Sequence, residues 1–153
     1  MENVWDYPRP PALVACESRV RLMLGGVMIV ESTRALRVLE TSHPPTIYVP
    51  AADVAPGVLQ PADGGSFCEW KGRATYHDVV AGRRTIERAA WSYPEPTPRF
   101  AALAGHVSFY PGRMDDAWLG DERVRAQPGD FYGGWITSDL RGPFKGGAGT
   151  RGW

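Results

Sequence analysis

Glycine or proline interrupts nearly every apolar run in this chain, and that punctuation limits what it can fold into. A helical bundle needs a 3.6-residue apolar repeat sustained over several turns, and no segment here sustains one. Strands need only a few residues between turns, and glycine and proline supply the turns. With 18 glycines and 14 prolines in 153 residues, the expected class is mainly β (a β-rich α+β chain): a compact single domain of antiparallel sheets over residues 1–153, with one or two short helices. A chain this long buries roughly two-thirds of the surface its unfolded form exposes, so a core without staples is expected.

The clearest unit is RVRLMLGGVMIVES, two runs joined by Gly25-Gly26, a pair that supplies the positive φ angles of a tight hairpin. Pairing Leu24 with Val27 places Leu22 opposite Ile29 and Val20 opposite Glu31. Val20, Leu22, Leu24, Val27 and Ile29 then share a core face, with Arg19, Arg21 and Met23 on the other. STRALRVLET fits either a helical turn, through Leu36 and Leu39, or a strand; a short turn or strand is expected. Thr46–Val49 reads as a brief strand, and Ala51–Leu59 as the place for one helical turn. SFCEWKG, ATYHDVV and RTIERAAWSYP are expected to form the central sheet. Pro98–Ala104, with proline near its start and Gly105 as cap, is the best helix. HVSFYP and DDAWLGDERV add strands, the second folding back at Gly120-Asp121. Residues 126–153 are glycine-rich yet aromatic, and are expected to pack on the domain or on a second subunit.

The charge balance narrows the function. Seventeen basic and seventeen acidic side chains leave a formal charge of zero, so the field that draws proteins to nucleic acid is missing. The start, MENVWDYPRPP, lacks the basic and apolar regions of a signal peptide, and no run approaches the ~20 apolar residues of a membrane span. Cys16 and Cys68 belong to no CxxC pair, which points to two reduced thiols and a cytoplasmic address. No metal site is expected, because His77 and His106 lack HxH or HExxH spacing. No cofactor is expected either, since GxGxxG and P-loop patterns are absent.

Candidate chemistry centres on two stretches. In CEWKG, strand alternation would put Glu69 and Lys71 on one face and Cys68 and Trp70 on the other. Lining a cleft, the carboxylate and amine could serve proton transfer; facing water, they are an exposed pair worth roughly 0–1 kcal/mol. In TSHPP, two prolines stiffen the loop after His43, and the Thr41 and Ser42 hydroxyls could orient its ring for acid–base work. The bland alternative is a histidine capping a turn. Cys68 is expected to be a buried, inert thiol. Trp70, Tyr76, Trp91 and Tyr93 either pack a core or stack on a planar ligand.

Five ordered motifs, VWDYPRPP, LETSHPPTIYVP, CEWKGRATY, AAWSYPEP and FAALAGHVSFYPG, resemble the domain of unknown function 427 family across residues 4 to 125. The closing FYGGWITSDLRGPFKG is similar to a C-terminal extension carried by a bacterial, actinobacterial-type subgroup. The resemblance implies a tent-like arrangement of sheets, here without the cysteine pairs that hold zinc in similar domains. It implies no reaction. It does favour a shared pocket of His43, Tyr48, Glu69, Lys71 and Tyr76, with Trp91 and Tyr93 as its apolar wall. His106 stands where an aromatic is expected in many relatives.

Two functions follow from these residues. In the first, a non-catalytic module uses Tyr48, Trp70, Tyr76, Trp91 and Tyr93 to hold a small planar or cationic ligand. In the second, a hydrolase or isomerase uses His43 or Glu69 as acid–base and Lys71 to stabilise an anion. An RNA-binding module is a weaker third, and a homodimer through the aromatic tail is expected from the need to cover exposed rings.

Overall fold

The computed structural model describes residues 1–129 and 131–153. Its strands are β1 (Glu2–Asn3), β2 (Ala12–Ala15), β3 (Val20–Leu24), β4 (Val27–Ser32) and β5 (Leu36–Leu39). They continue with β6 (Thr46–Pro50), β7 (Leu59–Cys68), β8 (Gly72–Ala81), β9 (Arg84–Ser92) and β10 (His106–Phe109). The C-terminal part holds β11 (Asp116–Leu119), β12 (Glu122–Arg123), β13 (Arg125–Ala126), β14 (Trp135–Ile136) and β15 (Leu140–Arg141). The protein is mainly β, as the turn residues demand. Its helical segments are short 3₁₀ turns, including Ala51–Asp53 and Pro98–Leu103, and the latter is kinked at Phe100.

A seven-stranded antiparallel sheet runs in the order β2-β5-β6-β10-β9-β8-β7, and a four-stranded one in the order β12-β11-β3-β4. The three strands expected to form the central sheet, β7, β8 and β9, lie side by side in the larger sheet, with β7 at its edge and β10 in its middle position. The ambiguous STRALRVLET stretch is strand β5, paired on both sides, so the sheet outweighs any local helical preference. Among the described residues no helix is long and apolar enough to cross a membrane.

Alternation along the seven-stranded sheet divides its side chains between two clusters. Ile47, Val49, Val107 and Phe109 join Val20, Leu22, Leu24 and Ile29 in the larger core. Tyr48 and Trp91 emerge on the opposite face with Val38, Ala74, Tyr93, Phe100 and Leu103. Trp135, from the C-terminal part, is fully buried in the larger core, where its indole N–H donates to the Phe109 carbonyl (3.2 Å).

The β3–β4 hairpin has the expected Leu24–Val27 closure, but a bulge between Leu22 and Met23 changes the register beyond it. Leu22 pairs with Val30 and Val20 with Ser32, in place of Ile29 and Glu31. Ile29 is the extra residue, so Ile29 and Val30 are both buried in succession while Val27 is 38% exposed. Val27, paired with Leu24 beside the turn, keeps its expected face but is left partly uncovered there, while the bulge adds Val30 to the core.

This hairpin also ties the two sheets together. Gly25 (φ +59°) and Gly26 (φ +78°) form its turn, and Gly82 (φ +57°) opens the β8–β9 turn. The tips press backbone to backbone: a Cβ on Gly25 would lie 2.4 Å from the Ala81 carbonyl oxygen, and one on Gly82 2.6 Å from that of Gly25. A Cβ on Gly26 would meet nothing within 4 Å. Gly26→Ala is thus expected to cost about 1–2 kcal/mol, the left-handed backbone penalty alone. Gly25→Ala should cost at least about 1 kcal/mol more, read by urea unfolding; equal costs would mean that the tips part freely.

Candidate functional site

CEWKG is not a strand. Cys68 ends β7, Gly72 begins β8 opposite it, and Glu69-Trp70-Lys71 form the hairpin tip between them. Gly72 adopts φ +110°, which L side chains rarely allow, and so turns the chain where a strand would have continued. Thr97 clamps the tip: its backbone N–H donates to the Lys71 carbonyl (3.0 Å) and its hydroxyl to that of Trp70 (2.6 Å). A turn has no alternating faces, so Cys68, Glu69, Trp70 and Lys71 all border one space.

That space is a cavity of about 280 Å³ over the Tyr48–Trp91 face of the large sheet. His43, Tyr48, Glu69, Trp70, Lys71, Tyr76, Trp91 and Tyr93, the residues singled out from the sequence, all line it. Glu69 is exposed at the rim, Trp70 and Lys71 are half-buried, and Tyr48, Trp91 and Tyr93 are buried. Cys68 is also half-buried on the wall, contrary to the expected buried thiol. A second cavity, of about 480 Å³, is larger but poorer in free chemistry. There Glu2 is paired with Arg37 (2.8 Å), and Glu122 accepts from both the N–H and the hydroxyl of Ser138.

The aromatic wall is interlocked. The Trp91 indole N–H donates to the Tyr48 hydroxyl (3.2 Å), their rings meet edge-on at 6.3 Å, and Tyr110 lies 4.6 Å from Trp91 by ring centroids. Burial pushes the Tyr48 and Tyr93 phenols above their usual range. Both are neutral hydroxyls at pH 7. Burial alone would lower the Lys71 ammonium, but Tyr48, Cys68 and Glu40 outweigh it and hold its pKa above the ordinary lysine value. Lys71 Nζ sits over the Tyr93 ring at 5.8 Å, and Lys145 Nζ over Tyr132 at 5.4 Å.

His43 is oriented by a residue 84 positions away. Among the described residues the Ser42 hydroxyl has no hydrogen-bond partner and the Thr41 hydroxyl donates to the Tyr7 carbonyl, so neither orients the ring as expected. Gln127 does so instead. Its Oε1 accepts the Gly134 N–H (3.0 Å), which forces Nε2 to be the donor to His43 Nδ1 (3.1 Å) and to the Lys145 carbonyl (2.7 Å). Because Nδ1 accepts, the neutral ring carries its proton on Nε2. Nε2 lies 3.7 Å from Glu40 Oε2, beyond hydrogen-bond reach.

Burial lowers the His43 pKa to about 4, helped by the positive charges of Lys145, Arg9 and Lys71. At neutral pH His43 is therefore an N–H donor and not a base. Gln127, Lys145, Tyr132 and Tyr110 also line the cavity without having been identified from the sequence. Tyr110 ends a motif that was visible, in HVSFYP; Gln127 and Lys145 carried no local signal.

A β-sheet domain whose aromatic cavity carries two lysines and a neutral histidine is the class that fold and site define. The chain belongs to the family described as a domain of unknown function (DUF427), whose family model matches residues 12–120. VWDYPRPP, at residues 4–11, and the C-terminal residues of the cavity lie outside that match. No curated protein shows significant similarity to the chain.

The folded chain resists protonation of His43, whereas the unfolded chain accepts it near the ordinary value of 6.5. Stability from this residue is complete above about pH 6.5 and is lost as pH falls toward 4, by up to roughly 3 kcal/mol. His43→Gln should flatten the pH dependence of urea unfolding in that window. A slope unchanged by the substitution would show that His43 titrates normally. In the unsubstituted protein, ¹⁵N NMR should show Nε2 of His43 protonated and Nδ1 bare, and Gln127→Ala should remove that preference and cost about 1–3 kcal/mol.

Proposed function

We propose that the cavity binds a small planar molecule and that the protein is a binding module. The observation that carries this is the convergence of Trp70, Tyr76, Trp91, Tyr93 and Tyr110 on one space that also holds fixed polar groups. Its volume, about 280 Å³, is near the lower end for ligand pockets, which run from roughly 300 to 1,000 Å³. A ligand of one or two rings fits better than an extended one.

The enzymatic alternative, with His43 or Glu69 as acid–base, has less support. His43 Nδ1 is already an acceptor for Gln127, and its Nε2 holds a proton that a neutral imidazole gives up only reluctantly. Glu69 sits exposed at the rim. An RNA-binding role has only scattered arginines behind it in a chain with no net charge. The two unpaired cysteines favour a cytoplasmic ligand pool. Dimerisation through the C-terminal part would rest on Phe131, which is 64% exposed.

A collection of one- and two-ring fragments, screened by NMR, tests the reading. Planar fragments are expected to shift the Trp70 and Trp91 indole resonances, to bind at millimolar concentration or below, and to be recovered chemically unchanged. Fragments that bind only away from Trp91 would reject the pocket. Conversion of any fragment, abolished by Lys71→Met, would replace the binding module with an enzyme.

A further inference from the structure

Resting on that binding role, we infer that the pocket selects planar aromatic acids, with the anionic group held by Lys71, Lys145 and the Nε2–H of His43. Three independent features converge on this chemistry. First, the His43 side chain is nine-tenths buried, and among the described residues its Nε2–H has no hydrogen-bond acceptor. His43 lines the cavity, and a ligand oxygen there would supply the acceptor that Nε2–H lacks.

Second, the two ammonium groups stand on aromatic rings and not in salt bridges. Lys71 lies over Tyr93 and Lys145 over Tyr132, and the edge of His43 meets the same Tyr132 ring at 4.7 Å. Among the described residues neither lysine has an Asp or Glu carboxylate oxygen within 4.0 Å. Lys145 Nζ makes one long contact, 3.5 Å to the Trp153 carbonyl. Both lysines line the cavity with His43.

Third, the two carboxylates on the cavity lining, Glu40 and Glu69, are paired with a guanidinium or screened by water. Glu40, the acid nearest His43, lies 3.5 Å from Arg9 Nη2, so its charge is shared with a guanidinium. Glu69 is exposed to water at the rim, where its field is screened. Burial is the main cause of the depressed basicity of His43, and the positive charges of Lys145, Arg9 and Lys71 add to it. A cationic ligand, the other occupant an aromatic wall could take, would meet two ammonium groups and an N–H donor.

Three compounds with one ring system separate the outcomes: naphthalene-2-carboxylate, naphthalene-2-carboxamide and 2-naphthylmethylammonium. Each is titrated into the ¹⁵N-labelled protein at pH 7 while the Trp91 indole resonance is followed. The acid is expected to bind at least tenfold more tightly than the amide, and the cation more weakly than either. Raising the salt concentration should weaken the acid and leave the amide unchanged. Lys71→Met with Lys145→Met should abolish the preference while ring binding persists.

If the amide or the cation moves Trp91 as readily as the acid does, selection for anions is overturned and the planar pocket stands. If none of the three moves it, both readings fall. The comparison in the unsubstituted protein decides this even where the double variant does not fold.

Discussion

The carboxamide of Gln127 is almost wholly buried, and it meets three groups from three parts of the chain. Its oxygen takes the Gly134 N–H, and its nitrogen serves both His43 and the Lys145 carbonyl. Burying an amide without partners would cost several kcal/mol, so this arrangement forms as a unit or not at all. Through it the C-terminal residues are fastened against the TSHPP loop, and the histidine tautomer is decided. The backbone reinforces the join: the Lys145 N–H donates to the Ser42 carbonyl and the Trp135 N–H to the Pro45 carbonyl, both at 2.8 Å.

The sheet beneath performs a different task with simpler means. Ile47 and Val49 face the large core while Tyr48, between them, faces the cavity, and period-two geometry accomplishes the division without special residues. Close packing is needed where the C-terminal part meets this wall. A Cβ at Gly133 would lie 2.2 Å from the Trp91 ring, and one at Gly134 2.5 Å from both Pro44 Cγ and Gln127 Oε1. The FYGGW stretch thus has its glycines in contact with an indole, a proline and a glutamine.

Much of the β architecture was legible because its determinants are local. Gly25-Gly26, Ala81-Gly82 and Gly120-Asp121 all mark hairpin turns, and the turn chemistry that specifies them lies within a few residues. The bulge at Ile29 was not legible, since alternation has no means of registering an extra residue that only a neighbouring strand accommodates. CEWKG misled for a related reason. It carries apolar and polar residues in strand-like alternation, while its geometry is fixed by Thr97, 25 or more positions later in the chain. Each of the eight residues named from sequence borders the cavity, because motif residues that packing explains poorly were gathered there. Gln127 and Lys145 were invisible, since a lone glutamine and a lone lysine in a glycine-rich stretch declare nothing until the fold delivers them.

The family match ends at residue 120, whereas Gln127, Phe131, Tyr132, Gly133 and Lys145 all border the cavity. Inheritance of the two parts is therefore separable. A relative sharing only residues 12–120 would inherit the aromatic floor, the hairpin tip and Lys71. It would not inherit the second ammonium group or the amide that sets His43. Kinship over the matched segment thus accounts for the aromatic floor and one ammonium group, while the groups that complete the cavity wall stand beyond it.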